Sequence, residues 1–195
     1  MLALEGIVGR WWTPDVTSVL EDYCGVDDAL ERYPFQSKAF SVVGAGHFSL
    51  VLETDMLPGE VLKVSLRPGD AWSSYAAWCR QNKGLYGVPD ILAVHRTDDL
   101  FMACMPKYLS IYETGCAEEA LGVTTRALGK YCPTTTGNLA PRHVQSLTLV
   151  GGMISTYFQG IAIMDMRSDN LMWCPVRAQY IYTDPVSFTR SEEEY

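Results

Sequence analysis

The stretch FSVVGAGHFSLVLETDMLPGEVLKVSL (residues 40–66) contains three apolar runs separated by two turn-like segments. The runs FSVV, SLVLE and EVLKVSL are rich in β-branched and aliphatic residues, as strands are. The separators GAGH and TDMLPG have the composition of turns, and Pro58–Gly59 supplies the backbone angles of the second tight connection. The stretch therefore predicts three consecutive antiparallel strands.

A helix and two further strands follow this stretch. In RPGDAWSSYAAWCRQNKG (residues 67–84), Asp70 can cap a helix and Gly84 can end it. ILAVHR and LFMACM then predict two strands around the polar turn TDD. Five strands with one inserted helix make a small α+β lobe. The apolar positions of the helix recur at spacings of three and four: Trp72, Tyr75, Ala76 and Cys79.

The second half of the chain is predicted to be mainly helical. EEALGVTTRALGKY (residues 118–131) forms one helix, and Pro141 opens a longer one. A loop, a short hairpin built from LMW and YIY, and a second loop come after it. The apolar face of the long helix consists of Val144, Leu147, Gly151, Ile154 and Phe158. The predicted domain has a helical extension (1–39), a five-stranded N-lobe (40–105) and a reduced, mainly helical C-lobe (106–195).

Composition excludes several classes of protein. The 195 residues are 48% hydrophobic and 19% charged, with a formal net charge of −8. These values exclude a disordered chain, and the negative charge disfavours nucleic acid and anionic membranes as partners. The longest weakly polar stretch, residues 147–154, is too short for a membrane span, and the N-terminus lacks the basic start of a signal peptide, which predicts a cytoplasmic protein. The six cysteines form no C-x-x-C pair and are expected to be reduced thiols.

A glycine-containing segment joins the first two predicted strands. A dinucleotide fingerprint would need a helix after these glycines, and the other common phosphate loop would need Gly-Lys-Ser/Thr; neither follows here. Two interpretations remain: a glycine hairpin whose backbone amides cover the phosphates of a nucleotide, or an ordinary hairpin turn. The candidate nucleotide-binding residues are Gly44, Ala45, Gly46, His47 and Phe48.

Lys63 lies in the middle of the third predicted strand, in the apolar run V-L-K-V. An ammonium group buried without an anion costs several kcal/mol. The residue therefore favours an anion-binding role, while the alternative is an edge-strand lysine whose amine reaches water.

Three polar residues lie in predicted loops around the hairpin of the second half. Asp165 and Asn170 are five residues apart, and Asp184 follows fourteen residues later. Mg²⁺ prefers such oxygen ligands together with the phosphates of a substrate. Glycine hairpin, strand lysine, helix, D-x-x-x-x-N and a later Asp occur in the order found in protein kinases.

The sequence also resembles a known family. GAGHFSLVLETDMLPGEVLKVSLRPGDAWSSYAAWCR, GIAIMDMRSDNLMW and YIYTDPVSF are similar to the early serine/threonine protein kinases of T7-like bacteriophages. The resemblance implies a two-lobed kinase-like fold, ATP and Mg²⁺ as cofactors, and phosphorylation of host bacterial proteins in the host cytoplasm during early infection.

The resemblance also implies roles for single residues. Gly44 and Gly46 match the glycine-rich loop, Lys63 the phosphate-binding lysine and Asp165 the catalytic base. Asn170 and Asp184 match the metal ligands. Adenine is expected to contact backbone groups of residues 103–108, including Met105.

Some positions depart from the general kinase pattern. Ile163–Met164 replace the His-Arg before the catalytic Asp, and Pro185–Val186 replace the Phe-Gly after the metal-binding Asp. The helix after the third strand contains no Glu to pair with Lys63, so Asp70 is the substitute considered. These departures argue against ordinary kinase regulation.

Two other functions stay open. One is a kinase-shaped, non-catalytic inhibitor that binds a host enzyme or defence protein through an acidic surface. The other is a small-molecule phosphotransferase, which shares the D-x-x-x-x-N motif and the later Asp. If the protein is a kinase, the hydroxyls that follow Asp184 are candidates for autophosphorylation: Ser187, Thr189 and Ser191.

Overall fold

The computed structural model describes residues 40–45, 49–65, 71–96, 98, 101–132 and 137–187. Contacts divide the chain into two units, Met1–Gly69 with Ile91–Lys107 and Asp70–Asp90 with Tyr108–Tyr195. Several predictions lie outside the described residues. These are the helices before residue 40, the cap at Asp70, the loop residues Gly46, His47 and Phe48, and the hydroxyls of Thr189 and Ser191.

The first unit contains a five-stranded antiparallel sheet, which confirms the predicted strands. The strands are β1 (Ser41–Ala45), β2 (Ser49–Glu53), β3 (Glu60–Ser65), β4 (Ala93–Arg96) and β5 (Phe101–Pro106). They are ordered β1-β2-β3-β5-β4. Gly59 in the turn between β2 and β3 has a φ of 79°, which only glycine adopts at little cost. Side chains alternate between the two faces, and Leu50, Leu52, Leu62 and Val64 are buried on one of them.

The described residues of the second unit form three helices, two small sheets and two short 3-10 helices. The helices are α1 (Ala71–Gln81), α2 (Ala117–Ala127) and α3 (Pro141–Phe158). One sheet has the order β6-β8-β9, from β6 (Leu109–Ser110), β8 (Leu171–Cys174) and β9 (Gln179–Tyr182); the other pairs β10 (Val186–Ser187) with β7 (Ile163–Met164). The helices and the β8–β9 hairpin confirm the predictions. The two-residue strands were not predicted, because a pair of residues has no periodicity.

Helix α1 packs within the second unit. The ring of Tyr75 lies 6.0 Å from that of Phe158, and the ring of Trp78 lies 6.4 Å from that of Tyr157. Sequence order alone places this helix in the segment predicted as the N-lobe, whereas its contacts group it with the second unit. The grouping follows from its large aromatic side chains, which are buried against α3.

None of the described cysteines takes part in a disulfide bond. Cys79, Cys104, Cys116, Cys132 and Cys174 are all free thiols. Burial, together with the neighbouring Glu60 carboxylate, raises the pKa of Cys104 to about 12, so this thiol is protonated at neutral pH. Within the described part of the chain, no helix combines the length and the apolar character that a membrane span requires.

Gly151 and Gly152 are neighbours in α3 with opposite surroundings. A Cβ on Gly151 would lie 2.5 Å from the Cβ of Ala127 and 2.6 Å from the hydroxyl of Tyr182. A Cβ on Gly152 would have no other atom within 4 Å. Close contact between α3, α2 and β9 therefore requires glycine at position 151 alone.

We expect Gly151→Ala to lower the free energy of unfolding by about 1–3 kcal/mol, the usual cost of overpacking. The matched control Gly152→Ala should raise it by about 0.5–1 kcal/mol, because alanine restricts the unfolded chain. Urea unfolding of both variants measures the difference. Equal stability of the two variants would contradict the described packing of α3.

His143, in the first turn of α3, lies in an aromatic cluster. Its side chain is 7% exposed, and its Nδ1 hydrogen bonds with the hydroxyl of Tyr86. The rings of Trp173 and Tyr180 meet it edge-on. Nε2 accepts a hydrogen bond from Arg142 Nε. Burial, followed by the positive charge of Arg142, lowers the pKa of His143 below 6.5.

We expect the protein to lose stability as the pH falls below about 6.5. In that range the unfolded chain binds a proton at His143 that the folded chain does not bind, so protonation favours unfolding. Denaturant unfolding between pH 7 and pH 5 should show a shallower pH dependence for His143→Gln than for the wild type. An unchanged slope in the variant would be inconsistent with a neutral, buried His143.

Candidate active site

The candidate residues of the first unit share one face of the sheet. Gly44 pairs with Val51, Val51 with Lys63, and Lys63 with Ala103. Directly paired residues of antiparallel strands point to the same face, and neighbouring strands are about 4.8 Å apart, so the backbones at Gly44 and Lys63 are about 10 Å apart. Ala45 ends β1 and is exposed.

Lys63 occupies a buried position in the centre of this sheet. Strand β3 lies between β2 and β5, and the lysine side chain is 6% exposed. The alternative of an edge-strand lysine reaching water is therefore wrong. A buried ammonium requires negative charge or hydrogen-bond acceptors around it, which suits a group that binds an anion.

Met105 lies near the end of β5 on the same face as Lys63. It pairs with Val61 and is 4% exposed. The backbone nitrogen of Lys107 donates to the carbonyl of Gly59 over 2.9 Å, which fixes the chain directly after β5. The backbone at the predicted adenine contact is therefore held in place by hydrogen bonds.

In the second unit, β7 and β10 place the two predicted loops side by side. Met164 pairs with Val186. Directly after β7, the backbone nitrogen of Asp165 donates to the carbonyl of Pro185 over 2.9 Å. The residue after Asp184 is thus bonded to Asp165.

Asn170 joins the same two loops from inside. Its amide nitrogen donates to the carbonyl oxygen of Asp165 over 2.9 Å and to Asp165 Oδ2 over 3.4 Å. The backbone carbonyl of Asn170 accepts hydrogen bonds from the backbone nitrogens of Thr183 (2.9 Å) and Asp184 (3.4 Å). Asn170 is 7% exposed, so these bonds form away from water. The structure therefore brings Asp165, Asn170 and Asp184 together, as the sequence predicts.

The hairpin register explains why residues so distant in sequence meet. Leu171 pairs with Tyr182 at the open end of β8 and β9. The turn between the strands includes Ala178, which has a positive φ of 48°. Because the pairing is fixed at Leu171 and Tyr182, the residues just outside it, Asn170 and Thr183, lie opposite each other.

Arg167 is a residue to which the sequence analysis assigned no role. Its Nε lies 3.7 Å from Asp165 Oδ2, and its side chain is 63% exposed. The signal was present in the motif, since a cation two residues after an acid in a loop can reach the same ligand. At this exposure the ion pair adds little stability.

The donor set of the second unit fits Mg²⁺. This ion usually takes one or two carboxylates, substrate phosphates and waters. Asn170 uses its side-chain amide nitrogen on Asp165, and its side-chain oxygen is the atom that could bind the ion. Asp184 contributes a carboxylate whose Oδ1 is buried. Among the described residues, no group of three or more His, Cys, Asp or Glu side chains could hold a metal ion.

Comparison with known proteins gives a family. One similar solved structure is the crystal structure of Rad53 1–466 in complex with AMP-PNP, with a TM-score of 0.42 and a sequence identity of 14%. The match covers 76% of this chain and 38% of that one. None of the curated proteins matches. The sequence model for "Bacteriophage T7 protein kinase 0.7" matches residues 28–195. Most of the chain is thus matched, and the chain belongs to the bacteriophage T7 protein kinase 0.7 family.

Proposed function

We propose that the protein transfers the γ-phosphoryl group of ATP to serine or threonine side chains of host bacterial proteins. The observation that carries this proposal is the hydrogen-bonded group of Asp165, Asn170 and Asp184. Its members have the chemistry that phosphoryl transfer needs: a carboxylate to receive a proton and oxygen ligands for a cation. Family membership supports the same reaction.

Asp165 is the proposed general base. Its side chain is 34% exposed, so an acceptor hydroxyl can reach it, while its backbone is fixed through Pro185 and Asn170. The carboxylate would orient the attacking hydroxyl and accept its proton. Arg167, beside Asp165 Oδ2, would supply positive charge near the transferred phosphoryl group.

Asn170 and Asp184 are the proposed ligands for Mg²⁺. When bound, the ion neutralises charge on the phosphates of ATP. The protein would hold the two ligands in place. The backbone hydrogen bonds from Thr183 and Asp184 to the Asn170 carbonyl would do this.

The first unit would hold the nucleotide. Lys63 would bind phosphate oxygens with its buried ammonium, and the backbone at Met105 would bind adenine. Gly44 and Ala45, with the following loop residues Gly46, His47 and Phe48, would cover the phosphates through backbone amides. We further propose the host cytoplasm as the place of action, early in infection, with neither nucleic acid nor membrane as a direct partner.

The test is transfer of radiolabelled phosphate from ATP into proteins of a bacterial lysate. We expect Asp165→Asn to lower the rate by about 10²–10⁴-fold, because the base is lost while the shape of the side chain is kept. Asp169→Asn is the matched control: it removes a carboxylate from the same loop, but this side chain is exposed, so a change within about twofold is expected.

Two results would contradict the assignment. Near-normal transfer by Asp165→Asn would exclude Asp165 as the base. An Asp165→Asn variant that still blocks a host enzyme would favour the non-catalytic inhibitor, and transfer to a metabolite in place of protein would favour the small-molecule phosphotransferase.

Lys63→Met tests the nucleotide site separately. Methionine fills a buried position with an apolar chain of similar length, so we expect the protein to stay folded. Loss of a charged contact should weaken binding of a non-hydrolysable ATP analogue by about tenfold to a hundredfold. Calorimetric titration measures this, with Lys130→Met, which removes an exposed amine after α2, as the control. Equal affinities of the two variants would remove Lys63 from the site.

A further inference from the structure

A buried tyrosine of α1 is bonded to the strand that leads to Asp184. The hydroxyl of Tyr75 donates to the backbone carbonyl of Tyr182 over 2.6 Å. The Tyr75 side chain is 1% exposed, and its ring lies 5.8 Å from that of Trp78 and 6.0 Å from that of Phe158. The hydroxyl therefore has little freedom to leave this carbonyl.

The segment from α1 to Gly87 forms hydrogen bonds with the outer edge of β9 at a single residue, Tyr182. The backbone nitrogen of Tyr182 donates to the carbonyl of Gly87 over 2.8 Å, and its carbonyl accepts from Tyr75. Because the N–H and C=O of one strand residue point to the same side, both groups of Tyr182 face away from β8. Gly87 has a φ of 77°, and a Cβ there would lie 3.4 Å from the Tyr182 ring.

The residues directly after Tyr182 are held from the other side. The nitrogens of Thr183 and Asp184 both donate to the Asn170 carbonyl. Asp184 is also close enough for its charge to act on Tyr75: burial is the main cause that raises the pKa of the Tyr75 hydroxyl, and the carboxylate of Asp184 contributes to the rise. The hydroxyl is thus a neutral donor at physiological pH.

We infer that Tyr75 is a positioning residue for the metal ligand Asp184. Its hydroxyl fixes the end of β9 two residues before Asp184, and this end sets the direction in which the Asp184 carboxylate leaves the strand. The inference rests on the proposed function, because it takes Asp184 as a ligand of Mg²⁺.

Tyr75→Phe removes the hydroxyl and keeps the ring, so the contacts with Trp78 and Phe158 stay. Thr124→Val is a matched control. It also removes a buried hydroxyl that donates to a backbone carbonyl, but this bond runs over 2.8 Å to Leu121 within α2 and does not involve β9. Both variants should lose similar stability.

The test is binding of Mn²⁺, as a spectroscopic substitute for Mg²⁺, in the presence of a non-hydrolysable ATP analogue. Electron paramagnetic resonance gives the affinity without any phosphate transfer. We expect about fivefold weaker binding for Tyr75→Phe, the size of one net hydrogen bond, and a change within about twofold for Thr124→Val. The Mg²⁺ concentration needed for half-maximal transfer should rise by the same factor in Tyr75→Phe alone.

Other outcomes would overturn the inference. Normal Mn²⁺ binding by Tyr75→Phe, or equal weakening in both variants, would show that the hydroxyl contributes only to stability. Asp184→Asn separates this failure from that of the proposed function. If Asp184→Asn also binds Mn²⁺ normally, the metal assignment itself fails; if it loses binding while Tyr75→Phe does not, only the role of Tyr75 fails.

Discussion

The candidate site of the second unit depends on one buried residue, Asn170. Asn170 donates to Asp165 with its side chain and accepts from Thr183 and Asp184 with its backbone. A buried amide that loses such partners is costly, so the two loops are held together by the same bonds that satisfy Asn170. Loops usually vary in conformation, and here the side chain and the backbone of one residue together give two of them a fixed geometry.

A second constraint is the charge of Lys63 in the first unit. Its position in a central strand, between the buried Leu62 and Val64, is one where an aliphatic residue would stabilise the sheet with no cost of desolvation. A lysine at this place favours function over stability. Helix α1 has no carboxylate between Ala71 and Gln81, and its place within the second unit is set by its aromatic side chains.

Long elements are predicted from the sequence better than the two-residue strands. The β-branched and apolar runs of β1 to β3 and the spacing along α3 identify those elements, because each is long enough to leave a pattern in the sequence. The pairings β7–β10 and β6–β8 depend on tertiary contact, and two residues have no pattern to read. Asp165, Asn170 and Asp184 are predicted as candidates from their chemistry and order, whereas their bonds through Thr183 and Pro185 depend on the hairpin register. The proximity of Arg167 to Asp165 is not predicted, because the spacing permits the contact but the conformation of the loop decides it.

The distribution of charge bears on how a protein partner could be recognised. The formal net charge of −8 belongs to the whole chain, yet the described residues carry nearly equal numbers of acidic and basic side chains. Most of the acidic excess comes from residues 1–39 and 188–195, including the run Glu192-Glu193-Glu194. Long-range attraction of a basic partner would therefore act mainly through these two segments, since such forces follow net charge. If a basic partner is recognised in this way, recognition would depend on different residues from those proposed for phosphate transfer, and the loss of one would not abolish the other.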